Sequence, residues 1–520
     1  MVLTHPRRIL AAALAALLGG GLVLYVTGAL GLAITPDSLH YLAAAKNLAA
    51  GHGLLGYDNS PFVSWPPLLP LVLAGLQTLG LEMVHGLRWL YALLDALVLA
   101  FSVLWVSRSS QDDSRDIPSW ATFLFALAAV CALPQLRVAT AVWSELLLIV
   151  LALIGLYAAV AYSMTSGGSA FTIAVVAVAL ACLSRYSAVA LLFAVTSLFL
   201  LVGRVDLGRR VKRGVLFASA AGLPLVLWML RNWNVSGTLT GPRHATIYQW
   251  SISTALLGSS IPKLFLPAKV ADFVPGHVWL LLFVLLLVWI FRSSLRSVRR
   301  NPPNFRQVSR LALVLYIGWF FLILLAAFSS IGMDPPNERL WAPVVLPSLI
   351  LVGLFVKRRG TRSSWIALLI LAGLMISGAI RLPGRIERFQ EKDAVYALPK
   401  WQHSPMVRYL HAHPLQGTVL SNQPEFVHYV LGMQVQSTPR FKNYNAKNLE
   451  IQKDEVRQFE AAVKRANGAH IVWFDETKGY LFPMAWLAKY YPFETVAEFP
   501  DGKILSLANF EGSVVPDSED

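Results

Sequence analysis

The residues best suited to chemistry are a few carboxylates and guanidinium groups that flank long apolar runs. Thr35-Pro36-Asp37-Ser38-Leu39-His40-Tyr41 directly follows the first such run, and Trp143-Ser144-Glu145 opens another. A carboxylate at the edge of lipid can exchange a proton or pair with a cation, and it usually has a partner. Arginines occupy comparable positions in Leu183-Ser184-Arg185-Tyr186, Leu230-Arg231-Asn232, Gly241-Pro242-Arg243-His244 and Asn337-Glu338-Arg339-Leu340. Guanidinium forks donate paired hydrogen bonds to phosphate oxygens without losing charge, so one shared phosphate or pyrophosphate site would account for several of them together. Each group also has a plainer reading. Asp37 could only cap a helix, Glu145 could be an interfacial acid paired with Arg137, and any single arginine could be structural.

The elements that would position these groups follow from helix signals. Pro36 and Asp37 are good helix starts and Gly51 and Gly53 are good stops, which predicts a surface helix of about three turns. On it, Asp37, His40 and Tyr41 share one face, making His40 and Tyr41 candidates for substrate contact. Glu145 falls at the start of an apolar span, where a carboxylate costs about 0 to 3 kcal/mol depending on depth and therefore usually has a partner.

The surrounding chain belongs in lipid. Of 520 residues, 56% are hydrophobic and only 14% charged, too much apolar surface for one water-soluble core. Eleven spans are predicted, at about 9–33, 86–106, 118–134, 146–162, 170–184, 186–202, 214–230, 277–291, 311–329, 340–356 and 364–380. The first, with Arg7 and Arg8 before it, is read as a retained span rather than a cleaved signal. Segment 66–80 is apolar but short and opens on Pro66, Pro67 and Pro70, so it is read as re-entrant or lying on the surface. The loops at 107–117, Arg204 to Arg213, Arg292 to Arg310 and Lys357 to Arg362 then share one side with the N-terminus, and their basic residues make that side cytoplasmic. The same pattern argues that the net charge of +15 sets membrane orientation and excludes a nucleic-acid groove. Cys131 and Cys182 lie in apolar segments and read as small hydrophobes. Asn234-Val235-Ser236 matches a glycosylation sequon but carries little weight, and His411 and His413 have no metal-ligand spacing. After about residue 381 hydropathy falls. Strands around Gly417 to Leu420, Ala469 to Phe474 and Lys503 to Leu507, with a helix over Asp454 to Asn467, predict a small extracytoplasmic α/β domain over 381–520, following a membrane domain over 1–380 whose first outer loop is 34–85.

In order and in motifs this chain resembles the GT-C superfamily of membrane glycosyltransferases, particularly the family 39-like branch of protein O-mannosyltransferases and lipid A aminoarabinose transferases. Those enzymes begin with one span, a Pro-Asp-Glu-like motif opening a surface helix, and a Pro-Pro segment. Here these are Pro36-Asp37-Ser38, the helix through Tyr41, and Trp65-Pro66-Pro67-Leu68. A second loop acid is matched by Glu145, a later basic residue by Arg185, and an Arg-Tyr-like motif before a Pro-containing span by Asn337-Glu338-Arg339-Leu340-Trp341-Ala342-Pro343. Ser38 and Trp65 depart from the pattern, where an acid and a lysine are usual. The resemblance implies inverting sugar transfer from a polyprenyl-phosphate donor to an acceptor outside the cytoplasm, as in a bacterial inner membrane. It casts Asp37 as general base, Glu145 as acceptor-orienting or cation-holding acid, and Arg185, Arg243 and Arg339 as the grip on the departing phosphate. A divalent cation on Asp37 and Glu145 is left open. A lipid flippase or transporter, and a noncatalytic scaffold, are the rival readings; the first is disfavoured because the sequence shows no pseudo-symmetric pair of broken helices and the candidate charges collect at one face instead of the midplane, and the second would not require the acids and arginines to converge.

Overall fold

A computed structural model describes residues 6–81, 83, 86–108, 118–203, 206–300, 303–356, 361–441 and 451–510. Of the basic loops that set the expected orientation, 109–117, 204–205, 301–302 and 357–360 lie outside the described residues. In chain order the helices of the apolar part are α1 Pro6–Val26, α2 Pro36–Ala49, α3 Leu68–Thr78, α4 Gly86–Arg108, α5 Ser119–Val130, α6 Leu133–Ala139, α7 Glu145–Thr165, α8 Gly168–Ser184, α9 Val189–Leu201, α10 Leu207–Ser236, α11 Trp250–Lys263, α12 Ala268–Ala271, α13 Gly276–Arg300, α14 Phe305–Ser330, α15 Glu338–Gly353 and α16 Arg362–Arg388. Seven of them, α1, α4, α7, α10, α13, α14 and α16, are long and apolar enough to cross a membrane, and α5 with α6 forms an eighth such segment bent by 53°. The chain is an integral membrane protein. Each of the eleven expected spans falls on one of these segments, α8, α9 and α15 being the shorter ones.

Two boundaries differ from expectation for local reasons. The first span ends at Val26, not at 33, because the chain turns and becomes extended through Ala33 and Ile34. The third is broken between α5 and α6, where Pro134 lacks the N–H that a continuous helix would use and its ring crowds the preceding turn. Segment 66–80 forms α3, whose 11 residues rise only about 16 Å, half a hydrocarbon core, and which packs on α2.

Close helix packing is made by small residues, as expected where lipid removes the hydrophobic drive between helices. The α1–α4 pair makes the most extensive helix contact among the described residues, with Gly20 lying against the Ala92 carbonyl and Ala96; a Cβ there would meet them at 3.1 and 3.3 Å.

The tail folds as expected into a small α/β unit. Helices α17 Pro399–Gln402, α18 Pro405–Ala412, α19 Pro424–Leu431, α20 Ile451–Arg465 and α21 Met484–Tyr490 accompany strands β1 Val419–Ser421, β2 Gln436–Ser437, β3 Gly468–Phe474, β4 Phe493–Phe499 and β5 Gly502–Ala508. The sheet order is β2-β1-β3-β5-β4, parallel on the β1 side and antiparallel around β5. Strand β4 was not visible in the hydropathy because it is an edge strand with a mostly exposed, irregular face. Val456, Phe459 and Val463 of α20 pack on Ile471, Trp473 and Leu505 of the sheet.

The tail is joined to the bundle by backbone. The extended Ala33–Ile34 segment lies between two others: Ala33 N–H donates to the Thr140 carbonyl at 2.8 Å and Ile34 N–H to the Ala394 carbonyl at 3.2 Å. Val142 and Tyr396 return the bonds to Ala33 and Ile34, at 3.1 and 3.0 Å. Val395, opposite Ile34, is held at φ 50°, which a β-branched residue adopts only when its surroundings force it.

Replacing Gly20 by Leu should push α1 off α4 and cost about 1 to 3 kcal/mol. Gly21→Leu is the control, since nothing lies within 4 Å of its Cβ position; thermal unfolding in detergent micelles should separate the two variants.

Candidate active site

Helix α2 begins where the sequence places it, but its cap is Thr35. The Thr35 hydroxyl accepts the Ser38 N–H at 3.3 Å while Ser38 Oγ accepts the Thr35 N–H at 3.0 Å, a reciprocal capping box. This explains why a serine stands where the resemblance leads one to expect an acid: Ser38 is fully buried and spent on the cap. It also frees Asp37, in the first turn, from the capping role. Thr35 Oγ1 further accepts the Trp143 indole N–H at 2.8 Å, which ties the start of α2 to the loop carrying Glu145.

At that junction the charged groups converge. Glu145, at the first position of α7, is 1% exposed, and its Oε1 is shared by the Arg185 Nη1 at 2.8 Å and by the Arg339 Nε. Arg339 also reaches Asp37, Nη2 to Oδ2 at 2.7 Å, so that one guanidinium bridges the two acids. Its Cζ lies over the Trp143 ring, 4.0 Å from the centroid. Arg185 donates in addition to Ser144 Oγ at 3.3 Å, which the Tyr41 hydroxyl contacts at the same distance. Two carboxylates and two guanidiniums make a neutral set. Asp37 is its outermost acid, with the side chain 30% exposed. Glu145 Oε2 is buried without a hydrogen-bond partner among the described residues.

Arg339 is aimed by the start of α15. Asn337 caps that helix, accepting the Arg339 N–H at 3.0 Å. The neighbouring Glu338 turns the other way, to Arg381 at 3.2 Å, to Arg385, and to Arg137 at 3.7 Å. Arg137 is therefore the partner of Glu338, and the pairing of Glu145 with Arg137 is corrected: Glu145 is satisfied by Arg185 and Arg339.

Burial acts to raise the Asp37 pKa, but the Arg339 guanidinium outweighs it and holds the carboxyl below its usual range. His40 is pushed down by burial, against the pull of Glu425 and Asp37, and burial pushes the Tyr41 phenol up. The two ring residues part company. Tyr41 is fully buried against Ser144, whereas His40 packs at 4.9 and 5.1 Å between the rings of Trp65 and Tyr57. Trp65, which replaces the lysine of the resemblance, thus has an aromatic role.

Arg243 is not part of the ionic cluster. It sits exposed at the rim, donating to the Ser64 carbonyl at 2.7 Å and the Thr240 carbonyl at 3.0 Å, close enough to feel the charges of Arg185 and Asp37. Gly241, at φ 82°, lets its loop come this near, since a Cβ would lie 2.9 Å from the Ser64 Cα. Arg231 holds the Phe62 carbonyl at 2.8 Å and Asn232 the Leu239 carbonyl at 3.1 Å, so the end of α10 braces one loop through each residue. The sequence reading missed the contribution of the tail. Helix α19 packs on α2, its Glu425 paired with Lys478 at 2.7 Å, and its His428 lies 6.4 Å from Tyr57. No local motif marks these residues.

The donor set does not fit a preformed divalent-cation site. Among the described residues no group of three or more His, Cys, Asp and Glu side chains could hold a metal ion, and Arg339 fills the position between Asp37 and Glu145 that a dication would take.

The bundle, with its bent third apolar segment and appended α/β unit, has a GT-C fold, shared with a solved structure over nearly the whole chain. The chain is similar over 98% of its length, and 99% of the other, to ArnT from Cupriavidus metallidurans bound to undecaprenyl phosphate, at 14% identity and a TM-score of 0.55. It is also similar to the same protein in the apo state, covering 94% of this chain and 96% of the other at 15% identity and a TM-score of 0.47, and to the Archaeoglobus fulgidus oligosaccharyltransferase, covering 97% and 74% at 11% identity and a TM-score of 0.47. No protein-family description and no curated protein sequence matches the chain.

Removing one partner from a buried pair leaves a charge without compensation, at a cost of about 3 to 5 kcal/mol. Arg185→Met should therefore destabilise the protein, and Glu145→Met added to it should restore part of the loss; a double-mutant cycle by thermal unfolding reads the coupling. Because the folded-state pKa of His40 is depressed, its contribution to stability is present above the ordinary value of about 6.5 and lost as pH falls through the lower folded value. Wild type should lose more stability between pH 7.5 and 5.5 than His40→Asn.

Proposed function

We propose that this protein is a glycosyltransferase that moves a sugar from a polyprenyl-phosphate carrier to an acceptor hydroxyl outside the cytoplasm, with inversion at the anomeric carbon. The observation that carries the reading is the single guanidinium of Arg339 bridging Asp37 and Glu145 where the surface helix meets the bundle. The fold supports it, because the similar ArnT structure holds undecaprenyl phosphate. A polyprenyl tail stays in lipid by about 0.8 kcal/mol for each buried methylene, so its phosphate and sugar must be met at the membrane surface.

In this reading residues 1–380 form the transferase domain and 381–520 an extracytoplasmic domain, with the N-terminus cytoplasmic and the protein in a bacterial inner membrane. The acceptor hydroxyl attacks the anomeric carbon and passes its proton to Asp37. The bond from that carbon to the phosphate oxygen breaks, and its electron pair leaves with the polyprenyl phosphate. Arg339 and Arg185 neutralise the developing phosphate charge, with Arg243 approaching from the rim. The resting arrangement keeps Asp37 a weak base, since Arg339 lowers its proton affinity. A donor phosphate competes for the same guanidinium, and as Arg339 turns to it Asp37 regains basicity. Base strength is thereby tied to donor binding. Glu145 aims both arginines, Tyr41 and Ser144 hold that assembly, and His40 with Tyr57 and Trp65 offers ring faces to the sugar.

The test is transfer by purified protein supplied with radiolabelled polyprenyl-phosphate sugars of several kinds and extracted envelope acceptors. Asp37→Asn should lower kcat by about 10² to 10⁴ while donor binding persists. Full transfer by that variant would remove the proposed base. Cysteine labelling should place residue 58 outside and residue 212 inside; the reverse would strip the site of its substrates.

A further inference from the structure

A second concentration of arginines lies at the other end of the bundle. Helix α7 runs from Glu145 to Thr165, about 30 Å at 1.5 Å per residue, so its C-terminal end is one hydrocarbon thickness away from the acid cluster. There, between the ends of α7, α9, α10 and α13, is a cavity of about 900 Å³. Its described lining includes Arg210, Arg213 and Arg299 and no acid.

Three like charges around one concavity repel unless an anion is present. The nearby acid does not supply it, because Asp206 caps α10 and pairs with Arg209 at 3.1 Å. Arg210 is anchored by the Leu200 carbonyl at 3.3 Å, and its Nε is buried without a hydrogen-bond partner among the described residues. Arg213 lies 5.8 Å from the Tyr162 ring centroid, against the aromatic wall of the cavity. Phe199 and Val298 add an apolar side to the same cavity. Guanidiniums beside apolar surface, one hydrocarbon thickness from the acid cluster, match a phosphate esterified to a lipid better than a fully hydrated anion.

We infer that this cavity binds a phosphate anion, carried by the headgroup of an anionic phospholipid in the leaflet away from Asp37. The site is separate from the proposed transfer chemistry and does not depend on it. Lipid bound there would neutralise the arginines and brace the ends of α10 and α13.

The experiment uses full-length protein and native mass spectrometry after exchange into phosphatidylglycerol or phosphatidylcholine micelles. Wild type should retain phosphatidylglycerol selectively and melt at a higher temperature with it. The triple variant Arg210→Gln, Arg213→Gln, Arg299→Gln should lose retention by about fivefold for each arginine removed. A control triple, Arg209→Gln, Lys212→Gln, Arg296→Gln, removes equal charge from side chains outside this lining and should retain the lipid. Release by millimolar inorganic phosphate would keep the phosphate site but assign it to a soluble ligand. Equal retention of both lipids by wild type with no difference in melting, or equal loss in the two triples, overturns the inference.

Discussion

The structure turns on one carboxylate taken out of water. Glu145 is 1% exposed, and a buried ion of its kind costs several kcal/mol unless charge and hydrogen bonds compensate it. Compensation comes from Arg185, at the end of α8, and Arg339, at the start of α15, so the first turn of α7 is the point where distant parts of the chain must meet. Arg339 has a second valency, and Asp37 takes it. The proposed base is thus held by the group that a phosphate would claim.

Two backbone devices keep this meeting in register. The Ala33–Ile34 segment is hydrogen-bonded on one side to the 140–142 loop and on the other to 394–396, which sets Asp37 and Glu145 each three or four residues from a common fixed point. Thr35 then serves as both the α2 cap and the acceptor for Trp143, whose ring supports Arg339. The tail is drawn in by the same segment, which explains why α19 lies over α2 and not at a flexible distance from it. Cap, indole and guanidinium form a relay in which each part restricts the next.

Much of the fold was legible because lipid imposes a simple rule: the chain must hide its backbone in helices of a given length, and apolar runs show where. Deviations arose where local backbone chemistry interrupted a run, as at Pro134, or where a strand such as β4 had no buried face to write a pattern. At the site, the types of Asp37, Glu145, Arg185 and Arg339 and their common depth were readable from loop position. Their pairing was not, since Arg137 and Arg339 are equally plausible partners for Glu145 until Glu338 is seen to occupy Arg137. Tyr41 and Arg243 look alike to His40 and Arg185 in sequence but differ in burial and reach.

The sequence alone determined the lipid environment, the helix from Pro36 to the glycines beyond it, and the set of charged residues that flank the apolar runs, because composition, periodicity and caps are local properties. Only the tertiary structure decided that Thr35 caps and Asp37 does not, that one arginine bridges two acids, and that Glu425 and His428 from the tail stand beside His40 and Tyr57. Those facts depend on which helix ends are adjacent in space, and a charge chooses its partner by distance and desolvation, quantities that no stretch of contiguous residues contains.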